Sequence, residues 1–271
     1  MNSTNQHAQE IADGKRFAFG ANWARFLSVL NEERIQMAEA SLKQMLGVDT
    51  LANKRFLDIG SGSGLFCLAA RRLGATVHSF DYDPQSVGCM AELKRRYFPD
   101  DPNWQVESGS ALDQNYLSNL GIFDVVYSWG VLHHTGQMWP ALANAAPLVK
   151  PSGTLFIAIY NDQGWVSRYW TKVKQLYNRS KALKVLLIGI HAPYLIGAPY
   201  LVRRLSGRGN PPRGMKLWYD MLDWLGGYPF EVAKPEEILL FYKKRGFVLD
   251  NLKTCGGRQG CNEFVFSKVD S

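Results

Sequence analysis

The stretch that most limits what this chain can fold into is Phe56-Leu57-Asp58-Ile59, followed at once by Gly60-Ser61-Gly62-Ser63-Gly64. The apolar run reads as a buried strand. Glycines placed straight after such a strand let the backbone turn sharply and approach a ligand closely. A loop of this kind does not by itself choose among the nucleotide-bearing cofactors.

The surrounding sequence repeats the strand-then-helix alternation. Strands are expected at 55–59, 76–81, 104–107, 123–128 and 154–160, with helices through Leu73, over 85–97 and over 139–149. Continuous apolar strands alternating with helices make a parallel sheet covered on both faces. The rhythm stops after Tyr160 and resumes with a helix from Pro235 to Lys244. Strands at 247–254 and 262–268 follow, joined by the turn-rich Cys255-Gly256-Gly257-Arg258-Gln259-Gly260, which predicts an antiparallel hairpin. Upstream, Asn31 is placed to cap a helix carrying Ile35, Ala38, Leu42, Met45 and Leu46, and Gly47 to end it. Phe17, Phe19, Trp23, Phe26 and Leu27 form an aromatic cluster that packs on the core or lies over a ligand. Residues 1–14 are polar and aperiodic and read as a loose tail. They lack the apolar core of a signal peptide, and the expected location is cytoplasmic. The chain thus divides into a tail and helical cap (1–50), a core (51–160), an inserted segment (161–233) and a closing helix and hairpin (234–271).

A hydrophobic fraction of 46% with 20% charged residues is ordinary for a globular chain and argues against extended disorder. Cys67, Cys89, Cys255 and Cys261 form no Cys-x-x-Cys pair, so reduced thiols are expected rather than a disulfide framework or a metal site. The formal charge of +7 favours anionic partners without naming one.

Three features narrow the ligand. Asp58 lies inside the strand end just before the glycines, where a carboxylate orders the loop and holds a ligand's ammonium group. A pyrophosphate has little use for negative charge there. Asp81 ends the second strand, where an acid accepts both hydrogen bonds of a ribose diol. Gly109-Ser110-Ala111-Leu112-Asp113 follows the third strand and is placed to line an adenine edge. Asp83, beside Pro84, reads as a helix N-cap, and Asp124 as a strand start that orders a loop.

With these pieces, residues 56–160 resemble class I S-adenosylmethionine-dependent methyltransferases of the group that includes the ubiquinone-biosynthesis O-methyltransferases. The likeness rests on the Asp58 glycine loop, on Asp81, on Phe123-Asp124-Val125-Val126-Tyr127-Ser128, on Val131-Leu132-His133-His134 and on Leu148-Val149-Lys150-Pro151-Ser152-Gly153. It implies an α/β fold: a seven-stranded Rossmann-like sheet, mostly parallel, closed by an antiparallel hairpin and carrying a helical lid. It implies S-adenosyl-L-methionine as cofactor, S-adenosyl-L-homocysteine as product and no metal. Asp58, Gly60, Ser61, Gly62, Gly64, Asp81 and Ser128 would contact the cofactor, and Tyr82, Ser110 and Ala111 would border the adenine. Many relatives carry an acid where this chain has Ser110.

Methyl transfer needs in-line positioning and exclusion of water, and a base where the nucleophile is protonated. The end of the fourth strand offers Ser128-Trp129-Gly130-Val131-Leu132-His133-His134, with His133 or His134 as base or substrate orienter. The insertion should fold over this point. Its apolar run 182–202, flanked by Lys181, Lys184, Arg203 and Arg204, is broken by Pro193 and Pro199. It reads as a helical lid rather than a membrane span, with contact to a membrane surface or a lipid-linked acceptor as the sharper reading. Residues 218–231 look like a pocket wall, in which Asp223, Tyr228 and Glu231, together with Trp129, would meet the acceptor. Arg213 and Lys216 stand just upstream. The expected acceptor is a small molecule with an oxygen, nitrogen or sulfur nucleophile. A nicotinamide oxidoreductase fits Asp58 and the hairpin less well, a nucleic-acid enzyme would carry an Asn/Asp-Pro-Pro-Tyr/Phe stretch that is missing, and a noncatalytic cofactor-binding regulator is a further alternative.

Overall fold

The computed structural model describes residues 3–197 and 217–270. Seven strands form one sheet: β1 (Arg55–Ile59), β2 (Thr76–Asp81), β3 (Trp104–Ser108), β4 (Phe123–Trp129), β5 (Val149–Tyr160), β6 (Phe247–Lys253) and β7 (Cys261–Lys268). Their order is β3-β2-β1-β4-β5-β7-β6. The first five run parallel, and β7 enters antiparallel between β5 and β6. The order reverses beside β1, which puts the carboxyl ends of β1 and β4 at the crevice where open sheets of this kind bind ligands.

Strand alternation divides the core between the two faces. Leu57, Ile59, Phe80, Val126 and Ile157 pack on one side with Phe264 and Phe266. Phe56, Val77, Tyr127 and Phe156 pack on the other with Leu68 and Trp104. Asp58 shares the side of Phe56, so its carboxylate points beneath α4 (Leu65–Arg72) rather than into solvent.

Before the sheet come α1 (Ser3–Ala12), α2 (Gly20–Leu27) and α3 (Glu32–Leu46). Asn31 caps α3 by accepting the Arg34 N–H at 3.1 Å, and Gly47 ends it at φ +67°. The loose tail expected over residues 1–14 is instead mostly α1. Its polar sequence hides this, because the helix is held by tertiary contacts: His7 is buried, its ring meets the edge of Tyr82, and its Nε2 lies 3.8 Å from Asp83. Following β2 is α5 (Pro84–Tyr97), which Asp83 caps as expected by accepting the Gln85 N–H at 2.9 Å. A short α6 (Gln114–Ser118) and α7 (Met138–Ala145) flank β4. β5 starts earlier than the sequence suggests, because Val149 pairs with Phe123 ahead of a register shift.

The insertion forms α8 (Trp165–Arg179), α9 (Lys181–Ala192) and, beyond the gap in the description, α10 (Leu217–Gly226). These helices build a third apolar cluster around Trp170, Tyr177, Leu187, Leu225 and Phe230. α9 ends at Ala192 and passes into a π-helical turn over Pro193–Gly197, so the regular helix stops at the first proline. The rest of that run beyond Gly197, with Pro199, Arg203 and Arg204, lies outside the described residues, as do Arg213 and Lys216. Among the described residues no helix is long and apolar enough to cross a membrane. α11 (Pro235–Lys243) leads into the terminal hairpin. The four cysteines are free thiols, and no metal-binding cluster occurs among the described residues.

Candidate active site

The glycine loop closes between β1 and α4 with Gly60, Gly62 and Gly64 all at positive φ. Space matters as much as backbone freedom. A Cβ on Gly60 would stand 2.2 Å from Val131 Cγ1, and one on Gly62 would stand 3.0 Å from the Trp23 indole. The aromatic cluster around residue 23 therefore lies over the loop. Ser61 turns its hydroxyl inward to the Asp58 carbonyl, 3.0 Å away.

Asp58 is buried, and its Oδ2 accepts the Cys67 thiol at 2.9 Å. Burial pushes its pKa up to about 7, with the Cys67 hydrogen bond opposing. Asp81 is half-buried. Its two oxygens accept the N–H groups of Gly62 (2.9 Å) and Asp83 (2.8 Å), tying the glycine loop to the end of β2. Burial raises its pKa to about 6 against those backbone donors. Each oxygen keeps a further lone pair for a ligand hydroxyl.

Tyr82 is roofed by the N-terminal segment. Arg16 stacks 4.9 Å from its ring centroid, and its hydroxyl lies 3.4 Å from Glu10. Ser110 turns its Oγ back to the Leu112 N–H at 3.2 Å, and Ala111 is buried beside it. Ser128 is buried too, bonded to the Ile59 carbonyl at 2.9 Å, which ties the ends of β4 and β1 together. Trp129, the last residue of β4, is half-buried.

His133 and His134 form one short turn directly after β4. His133 Nδ1 accepts the Tyr160 N–H at 3.3 Å, and burial holds its pKa well below the ordinary histidine range. His134 Nδ1 lies 2.6 Å from the Pro229 carbonyl, and burial brings its pKa down to about 3. Both rings are neutral at pH 7, and their basicity is far below that of a general base matched to neutral pH.

The segment after α10 lies against this pair. The Glu231 N–H donates to the His133 carbonyl at 2.9 Å, and its carboxylate receives the Met138 N–H at the start of α7. Asp223 bonds to Asn22 of α2, and the Tyr228 carbonyl accepts the Phe17 N–H at 2.9 Å. A Cβ on Gly226 would be 2.1 Å from the Phe17 ring. The lid and the N-terminal aromatics thus interlock over the end of β4. Asp223, Tyr228 and Glu231 come together there, but Glu231 has its carboxylate turned to the α7 backbone.

A family model described as a methyltransferase domain matches residues 30–188. The chain belongs to this methyltransferase family. It is 26% identical over 264 residues to the ubiquinone biosynthesis O-methyltransferase of Xanthomonas axonopodis pv. citri, an alignment spanning 92% of this chain and 84% of that one. Among solved structures, an O-methyltransferase family protein from Burkholderia thailandensis shares the fold at 12% identity and a TM-score of 0.55, over 88% of this chain and 57% of that one. Magnesium protoporphyrin IX methyltransferase from Synechocystis PCC 6803, with S-adenosylhomocysteine bound, does so at 13% identity and 0.51, over 86% and 83%. S-Adenosylmethionine is the cofactor of such methyltransferases, as the sequence implied.

Sequence reasoning missed several groups in this methyltransferase. The α1 contacts to Tyr82 leave no periodic signal. Lys174 was legible: with Trp170, Val173 and Tyr177 it falls on the apolar stripe of α8.

Proposed function

We propose that this methyltransferase moves the methyl group of S-adenosylmethionine to a small-molecule acceptor held between the end of β4 and the lid. The observation that carries this is the enclosure: the Glu231 N–H donates to the His133 carbonyl and the His134 ring bonds to the Pro229 carbonyl, so residues 229–231 lie directly against the turn after β4. When bound, S-adenosylmethionine supplies a methyl carbon made electrophilic by its sulfonium.

The chain's own residues do the positioning. The glycine cradle and the buried Asp58 carboxylate suit a cationic amino-acid group, and the spare lone pairs of Asp81 suit a ribose diol. Tyr82, Ser110 and Ala111 border the space beside them. Ser128 fixes the β4 end against β1, and Trp129 follows it. His133 and His134 orient the acceptor from neutral rings, with Asp223 and Tyr228 in the wall opposite. Interlocked α2 and α10 exclude water.

The test uses tritiated S-adenosylmethionine and a cell extract separated after reaction into small molecules, lipids and macromolecules. Label is expected in the small-molecule or lipid fraction. Label confined to protein or nucleic acid would overturn the reading.

The outer face of the lid supports an amphipathic or lipid-linked acceptor met at an anionic membrane surface. Val185, Leu186 and Ile190 are all more than half exposed on the helix that carries Lys181 and Lys184, and Tyr194 is more than half exposed just beyond its end. Such a basic, apolar helix face lies in a headgroup layer. The chain is expected to sediment with phosphatidylglycerol vesicles and not with phosphatidylcholine vesicles. Replacing Leu186 and Ile190 with Ser should reduce the bound fraction by about tenfold, given the apolar area removed.

A further inference from the structure

Lys174 lies on the inner face of α8 and is 1% exposed. A buried ammonium is costly unless it is paired. Its hydrogen bond among the described residues goes to the Trp224 carbonyl. Its Nζ stands 4.2 Å from the Trp224 ring centroid and 4.8 Å from that of Phe230. One carbonyl and two ring faces replace only part of its hydration. Burial accordingly lowers its pKa to about 7, with the Asp223 charge opposing.

Three more buried groups around these rings have no hydrogen-bond partner among the described residues: the Tyr177 hydroxyl, the Trp224 indole nitrogen and His133 Nε2. The indole N–H only donates. His133 accepts a backbone N–H at Nδ1, which assigns its proton to Nε2. The Tyr177 pKa is pushed up to about 12 by burial, so its proton stays on. Two of the rings that carry them are joined through Tyr160: His133 and Tyr160 have centroids 4.1 Å apart and Tyr160 and Trp224 5.7 Å, with Phe230 6.0 Å beyond Trp224. Tyr177 stands one helical turn after Lys174 on α8, in the same apolar cluster. Native interiors leave few such groups unpaired. Here the unpaired groups are all able to donate, and a positive charge stands among them. Asp223, the carboxylate whose charge reaches Lys174, is engaged by Asn22.

We propose that the acceptor site recognises an anionic oxygen, carboxylate or phenolate, bound to Lys174, with the Tyr177 hydroxyl, the Trp224 N–H and His133 Nε2 as the neutral donors. This rests on the small-molecule reading above and adds the substrate class. An anion bound at Lys174 gives neighbouring orphan donors an acceptor, and charge-assisted hydrogen bonds are the strongest available to it.

The test is calorimetry on the full chain saturated with S-adenosylhomocysteine, using benzoate and pentafluorophenolate as the two anionic probes and benzamide as the neutral one. At least one anion is expected to bind about tenfold or more tightly than benzamide. Which anion wins separates a carboxylate acceptor from a phenolate. Lys174→Met should remove the preference while changing S-adenosylhomocysteine affinity less than about twofold. That variant replaces a buried charge by an apolar side chain of similar length but leaves the Trp224 carbonyl without its donor, so its fold is checked by thermal melting, and Trp224→Phe, which keeps Lys174, carries the test if it does not fold. Trp224→Phe keeps the ring and removes one donor, and should weaken the preferred anion about threefold to tenfold. Equal binding of anion and amide, or no saturable anion binding below about 10 mM, the weak end for a ligand of this size, would overturn the proposal. So would a preference that survives Lys174→Met. Failure of the wild-type chain to bind S-adenosylhomocysteine at all would instead overturn the proposed function.

Discussion

Replacing Asp58 with Asn is expected to weaken S-adenosylhomocysteine binding by roughly a hundredfold or more, because removing one partner of a buried charge pair costs about 3 kcal/mol and 1.4 kcal/mol is a factor of ten. The substitution keeps the shape and the Cys67 contact side, so the fold should hold. A pH signature accompanies it. Burial raises the Asp58 pKa to about 7 in the free protein, whereas a ligand ammonium favours the ionised carboxylate. Affinity in the wild-type chain should therefore rise with pH up to about 7 and level off above it. Below that point the ligand must displace a proton, at up to tenfold in affinity per pH unit. In Asp58→Asn the rise near pH 7 should vanish, leaving only the step from Asp81 near pH 6. Calorimetry between pH 5.5 and 8 reads both effects. An unchanged affinity, or a pH profile shared by both proteins, would contradict the role given to this carboxylate.

Asp81→Ala should cost about tenfold to a hundredfold in the same titration, from hydrogen bonds to a charged acceptor worth about 1.5–3 kcal/mol. Two losses combine here. The ribose diol loses its acceptor, and the N–H groups of Gly62 and Asp83 lose theirs, 2.9 and 2.8 Å away. A 2′-deoxy analogue of S-adenosylhomocysteine separates them. Wild-type protein should prefer the ribose compound by about tenfold, for one charge-assisted hydrogen bond. The Ala variant should bind both alike. A variant that still discriminates would move the diol contact elsewhere.

Most of the sheet was legible because its constraints are local. Phe56 to Ile59 alternate between the two cores, the glycines follow without a gap, and Asp58 and Asp81 end adjacent strands. The helix caps at Asn31 and Asp83 were legible for the same reason, since each is read within three residues. What failed was tertiary. α1 has no apolar stripe and exists because His7 finds Tyr82 and Asp83. Glu231 looked like a ligand for the acceptor, but its carboxylate serves the first turn of α7, distant in sequence. The histidines look basic in a sequence. Enclosure by the lid makes them neutral and weakly basic, and burial is invisible until residues 229–231 are placed on them. Lys174 falls between these cases. Its position on an apolar stripe is written in the sequence, but the orphan donors around it emerge only when α8 and α10 meet.

The cofactor site is tested most directly by calorimetry of the full chain with S-adenosylhomocysteine and, separately, with NAD⁺. The site described here should bind S-adenosylhomocysteine at one per chain, with no heat from NAD⁺. Saturable binding of NAD⁺ with none of S-adenosylhomocysteine would contradict it.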